Sequence, residues 1–142
     1  MVDICARCVE LKAQVVHEDE FDTGLRRILN YGHTPGHAME KLSKLAIPHG
    51  NAVAMGMMIM TKASEKKGMI PEGSTERLEK ILKEIGLPTK TEYSAHELAV
   101  AGGSDKKRMG DTLGLVMLDK IGNACVEEIP IENLESYYAL GL

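Results

Sequence analysis

Aromatic side chains are nearly missing from this sequence: 4% of 142 residues, with no Trp and a single Phe. Large flat rings therefore cannot fill its core, and methionine, nine residues in all, takes up that work. The stretch "AMGMMIM", residues 54 to 60, reads as a pliable helix core with methionine as gap filler. Cysteine is scarce too. Three residues, Cys5, Cys8 and Cys125, are an odd number, which argues against a disulfide framework. Cys5 and Cys8 form a C-x-x-C, but no second such pair completes a zinc site and no strand precedes it, so it reads as two reduced thiols on one helical turn. No apolar run approaches the roughly eighteen residues of a membrane span, and "MVDICARCVELK" is too often interrupted by charge to be an export leader. The expectation is a cytoplasmic chain without a membrane partner. Seventeen basic against twenty-one acidic residues give a net charge of −4, so there is no field to hold a polyanion and nucleic acid is not an expected partner.

What the chain does have is 44% apolar residues in a length typical of one domain, and the reading is a single domain over residues 1–142. Ile4, Cys8, Leu11, Val15 and Val16 recur at helical spacing over residues 4 to 18. Asp22 or Thr23 can cap a second helix carrying Leu25, Ile28 and Leu29, and Thr34 before Pro35 signals a third. A long apolar helix follows from about Asn51 to Lys66, then "STERLEKILKEIG", residues 74 to 86, with a Ser cap and a closing Gly. A short helix near residues 95–101 precedes the polar "GGSDKKRMGD". The period then changes: "TLGLVML" and "ACVEEIP" flank "DKIGN" as a β-hairpin turning at Gly122 and Asn123, near residues 112–129. A helix over about 131–140 closes the chain. The fold class expected is mainly α, a helical bundle bearing one small hairpin.

Chemistry concentrates between residues 12 and 50, in Lys12, Asp19, Glu20, Arg26, Asn30, His33, His37 and His49. "NYGHTPGHAME" sets two histidines four apart around Thr-Pro-Gly and follows them with a carboxylate. On a helix, H-x-x-x-H puts both imidazoles on one face, a spacing that can chelate Zn²⁺. Against that, Pro35 lacks an N–H, so a helix running through residues 31 to 39 would kink or restart and let the rings diverge. No Glu directly follows His33, which removes H-E-x-x-H hydrolase chemistry. His49, between Pro48 and Gly50, sits where a loop can turn a ligand toward a neighbouring element.

Together "ELKAQVVHEDEFDTGLRRILNYGHTPGHAMEKL", "IPHGNAVAMGM" and "DKK" before a hairpin ending "IGN" closely resemble the C-terminal domain of 3-dehydroquinate synthase. That family is the shikimate-pathway member of the sugar-phosphate cyclases, which share a fold with the glycerol dehydrogenases. The likeness runs from about Cys8 to Val126 and is most specific over residues 12–58, with departures at Asp22, Pro35 and Asn51. The resemblance implies that His33 and His49 are ligands of a catalytic Zn²⁺ (or Co²⁺) and that His37 serves proton transfer near the substrate phosphate. It implies that Asn30 and Lys12 contact substrate, that Arg26 pairs with its carboxylate, and that Lys106 or Lys107 faces its phosphate. In the family, NAD⁺ transiently oxidises the substrate, phosphate leaves by β-elimination, and ring opening and an aldol closure give 3-dehydroquinate. No G-x-G-x-x-G occurs in this sequence, nor the family's E-x-x-K element with its third zinc ligand. The expectations are accordingly that the NAD-binding N-terminal domain or subunit is a partner, that an acidic sugar phosphate is the substrate, and that the isolated chain binds metal weakly and does not turn over. A homodimer is left open. A sister cyclase for another sugar phosphate, and a non-catalytic helical metal-binding or assembly module, are the alternatives.

Overall fold

The computed structural model describes residues 2–21, 24–103 and 111–142. The fold is a helical bundle with one antiparallel hairpin: α1 (Val2–Glu18), α2 (His33–Leu42), α3 (His49–Lys66), α4 (Ser74–Glu84), α5 (Ala95–Gly103), β1 (Thr112–Lys120), β2 (Asn123–Pro130) and α6 (Leu134–Gly141). A 3-10 turn over Leu25–Asn30 joins α1 to α2, and another over Ile131–Asn133 leads into α6. No described helix is long and apolar enough to cross a membrane.

Helix α3 is the axis of the core. Its Ala52, Met55, Ile59, Met60 and Ala63 meet Ala38 and Met39 of α2, Leu98 and Ala101 of α5, Leu113, Leu115 and Met117 of β1, and Leu134 and Tyr138 of α6. Methionines 55, 58 and 60 are all buried, as gap fillers should be where aromatic rings are few. The approach of α2 to α3 is set by glycine. A Cβ on Gly56 would stand 2.0 Å from the carbonyl oxygen of Gly32, so only hydrogen fits there, and Gly32 itself is left-handed at φ 78°. That close crossing fixes α2, with its two histidines, against the first turns of α3. The Tyr31 hydroxyl ties the same junction together, donating to Met57 O at 3.2 Å and pairing with Thr61 Oγ1. Burial pushes the Tyr31 hydroxyl up to about 12, so it remains a proton donor.

Several sequence expectations shift by a residue or a role. Helix α2 starts at His33 behind Gly32, so Thr34 lies inside the first turn rather than capping it. Pro35 then falls in that first turn, where its missing N–H has no intrahelical partner to lose, and the helix runs on without restarting. Helix α4 starts behind Gly73. Ser74 does not cap it; Glu65 reaches across from α3 and accepts the N–H of Gly73, the N–H of Thr75 and the Thr75 hydroxyl at 3.1, 2.7 and 2.6 Å. Residues 22 and 23, offered as caps, lie outside the described residues, and the segment they precede is a 3-10 turn. The buried Asp19 serves it instead, accepting the N–H groups of Gly24 and Arg26 at 2.8 and 2.9 Å. The hairpin pairs Lys120 with Asn123, placing Ile121 and Gly122 at its tip, one residue before the turn read from sequence. Cys5 and Cys8 are exposed thiols on α1, and Cys125 is half-buried on β2.

Candidate metal and substrate site

His33 and His37 rise from the first turns of α2, and His49 is the first residue of α3, part of the helix rather than of a loop before it. Between the two helices the chain reverses through Lys44 and Leu45, both at positive φ (53° and 65°), which costs strain in side chains that are not glycine. The reversal brings His49 back over α2. The three ring centroids form a nearly equilateral triangle: 5.6 Å from His33 to His37, 5.3 Å from His33 to His49 and 5.6 Å from His37 to His49. The divergence that Pro35 allowed does not occur.

Glu40, a turn after His37 on α2, lies under the cluster. Its Oε2 is 2.7 Å from His37 Nδ1 and its Oε1 is 3.1 Å from His49 Nδ1. The Glu40 side chain is 15% exposed, against 63% for His37 and 54% for His49, so an anchored carboxylate holds two accessible rings. The hydrogen bond from His37 holds the Glu40 carboxyl below its ordinary value; partial burial opposes this, and His49 adds to the lowering. His33 Nδ1 faces Tyr31 O at 3.3 Å. Each ring thus faces an oxygen with Nδ1, and Nε2 is the nitrogen these contacts leave unused. Imidazole nitrogens of this kind suit Zn²⁺ and Co²⁺. Among the described residues, the set with ligand atoms all within 4.8 Å of one another is His37, Glu40 and His49.

Beside the cluster opens a cavity of about 620 Å³, walled by Arg27 and Asn30 of the 3-10 turn, His33, Thr34, His37 and Lys41 of α2, the end of α5, and the hairpin. Arg27 spans it, pairing with Glu128 of β2 at 2.6 Å. Its guanidinium lies so close over Gly114 that an added Cβ there would fall 1.8 Å from Nη2. The expected residues thus divide. His33, His37 and Asn30 line one hollow, and His49 adjoins them through its ring contacts. Arg26 is not on the cavity wall; its guanidinium donates to Glu20 O at 3.2 Å. Lys12 stands exposed on α1, also outside the wall, and Lys106 and Lys107 lie outside the described residues. Sequence reasoning gave no part in the site to Glu40, Arg27 or Lys41, and read Thr34 only as a helix cap. For Glu40 the signal was present: it sits three residues after His37, one helical turn away.

The fold is that of the sugar-phosphate cyclases. Over 96% of its length the chain superposes, at a TM-score of 0.77 and 25% identity, on 40% of a 2-deoxy-scyllo-inosose synthase solved with carbaglucose-6-phosphate, NAD⁺ and Co²⁺. It shares its fold, at a TM-score of 0.80 and 17% identity, with 39% of the 2-epi-5-epi-valiolone synthase of Streptomyces hygroscopicus subsp. jinggangensis, solved with NAD⁺ and Zn²⁺. The family described as 3-dehydroquinate synthase C-terminal matches residues 1–108, and the chain belongs to it. It is 39% identical over 137 residues to the 3-dehydroquinate synthase of Enterococcus faecalis, covering 95% of this chain and 38% of that protein. To the enzyme of Streptococcus suis it is 41% identical over 127 residues, 88% of this chain and 36% of that one. The chain thus spans under two fifths of the length of these curated relatives.

Proposed function

We propose that this chain is the metal- and substrate-binding portion of a 3-dehydroquinate synthase, a lyase of aromatic amino-acid biosynthesis that converts 3-deoxy-D-arabino-heptulosonate 7-phosphate to 3-dehydroquinate with loss of phosphate. The observation that carries the reading is the triangle of His33, His37 and His49, 5.3 to 5.6 Å apart, on the rim of a polar cavity. The donor set fits a divalent cation, with His33 and His49 as the residues to hold it and the carboxylate of the family's E-x-x-K element as the third ligand. When bound, such an ion polarises substrate oxygens and lowers the cost of negative charge developing on them.

The chain's own groups do the rest of the positioning. His37, exposed and braced by Glu40, exchanges a proton with the substrate near its phosphate. Asn30 donates into the cavity, and Lys12 and Lys106 or Lys107 supply cationic donors for the anionic substrate. Arg26 takes the substrate carboxylate in a two-pronged contact, exchanging the Glu20 carbonyl for it. Thr34 and Lys41 add a hydroxyl and a cation to the same wall. NAD⁺ falls mainly to an N-terminal nucleotide-binding portion, and the setting is the cytoplasm.

A carboxylate-bearing substrate needs Arg26, which favours this reading over a sister cyclase, as do identities of 39–41% to dehydroquinate synthases against 17–25% to the other cyclases. The test is to mix the chain with the N-terminal portion of a family member, NAD⁺ and Co²⁺, and to follow phosphate release. Turnover by the mixture and none by the chain alone supports the reading. Turnover that survives Arg26→Ala undiminished, or release from a substrate without a carboxylate at an equal rate, overturns it.

A further inference from the structure

Glu40 divides its two oxygens between two imidazoles, and the division has a chemical consequence. Oε2 takes His37 at 2.7 Å and Oε1 takes His49 at 3.1 Å, in both cases at Nδ1. An ionised carboxylate accepts hydrogen bonds and cannot donate them, so each Nδ1 must carry its hydrogen. We propose that Glu40 is a positioning residue that locks both His37 and His49 in the tautomer with hydrogen on Nδ1, turning both Nε2 lone pairs outward. One carboxylate then prepares two different tasks: His49 Nε2 is the nitrogen offered to a divalent cation, and His37 Nε2 is the base offered to the substrate. A carboxylate behind a metal-bound imidazole raises its basicity and fixes its orientation, and losing one typically costs 10 to 100-fold in metal affinity.

The surrounding backbone is built to deliver this contact. The spacing from His37 to Glu40 is one helical turn on α2. The carbonyl of Glu40 accepts the N–H of Leu45 at 2.7 Å and the Ser43 hydroxyl at 3.1 Å, which seats the left-handed pair Lys44 and Leu45 and returns the chain to His49. That reversal places its strain in two residues, one of them a leucine that is 78% exposed, so its purpose is not to bury that side chain. Glu40 could instead be read as a direct ligand with His37 and His49, since the three ligand atoms lie within 4.8 Å of one another. That arrangement would displace both N–H groups from the oxygens they now occupy and would leave His33 out.

The inference rests on the proposed roles of His49 and His37, but the tautomers themselves can be read without turnover, so its failure and the failure of the enzyme reading are separable. The experiment is long-range proton to nitrogen-15 correlation of the imidazoles in the labelled 142-residue chain at mildly alkaline pH. His37 and His49 are expected with hydrogen on Nδ1 and a bare Nε2, and Zn²⁺ should shift His49 Nε2 rather than Nδ1. In Glu40→Gln the amide offers one acceptor and one donor face, so one of the two rings should change tautomer and Zn²⁺ affinity should fall by about 10 to 100-fold. Hydrogen on Nε2 of either ring in the native chain, Zn²⁺ carried on Nδ1, or unchanged tautomers in a folded Glu40→Gln overturns the proposal. If Glu40→Gln fails to fold, the native and Zn²⁺-loaded spectra still decide.

Discussion

Replacing Gly56 by Ala should open the junction on which the histidine cluster depends. The added Cβ would lie 2.0 Å from Gly32 O, 3.0 Å from Gly32 C and 3.1 Å from Gly36 N. Carbon and carbonyl oxygen approach no closer than about 3.3 Å, so α2 and α3 must part by roughly 1 Å. Both sides of the clash are backbone, and no rotamer change relieves it. Overpacking of this kind belongs at the upper end of its usual range, about 3 kcal/mol. Alanine gains about 1 kcal/mol over glycine inside a helix, which offsets a third of that cost. The net loss is about 2 kcal/mol, or a fall in Tm of about 4–8 °C, measured by thermal and urea unfolding followed by circular dichroism. Zn²⁺ affinity should fall with it, because Gly32 directly precedes His33. Gly50, on the same helix with nothing within 4 Å of an added Cβ, is the control; Gly50→Ala should be neutral or stabilising by up to about 1 kcal/mol. If Gly56→Ala proves as stable as Gly50→Ala, helix propensity outweighs the contact and the account of the junction is wrong.

Two further substitutions probe features the sequence did not display. The Tyr138 hydroxyl is buried without a hydrogen-bond partner among the described residues, so Tyr138→Phe should stabilise the chain by about 1 kcal/mol; a lower Tm would show that the hydroxyl has a partner. Glu65 caps α4, and Glu65→Ala should cost about 1–2 kcal/mol in urea unfolding, with intact stability pointing to another cap. The Thr75 hydroxyl, and less strongly the N–H groups of Thr75 and Gly73, hold the Glu65 carboxyl below its ordinary 4.5 against the opposing effect of burial. Its contribution is therefore complete above pH 4.5 and disappears as pH falls through the lower folded value, so the gap between native chain and variant should close in acid.

Most of the fold was legible because its signals are local. Helical spacing of apolar residues marked the helices, alternation marked the hairpin, and the methionine-rich run marked the buried axis. What escaped depends on partners distant in sequence. Thr34 and Ser74 are good capping residues by type, yet Gly32 and Gly73 take those places; the acceptor that serves α4, Glu65, lies eight to ten residues from the N–H groups it takes, and Asp19, which serves the 3-10 turn, five to seven. The site divides in the same way. His33, His37 and His49 were readable from type and spacing, whereas Glu40 gains its meaning only once the chain reverses at Lys44 and Leu45 and returns His49 to its second oxygen. Arg26 and Arg27 are neighbours with opposite placements: Arg27 reaches the cavity and Glu128, and Arg26 reaches the Glu20 carbonyl. No pattern within one turn of chain separates two adjacent arginines; only the position of the hairpin does.

The most direct measurement on the central claim is the location of a cobalt ion in crystals of the chain soaked in Co²⁺, found from its anomalous scattering. The account predicts one principal peak, partly occupied because the third ligand is absent from this chain, at the His33, His37 and His49 cluster and beside Nε2 of His49. A peak at Cys5 and Cys8, or at surface carboxylates with the three histidines left bare, would contradict it.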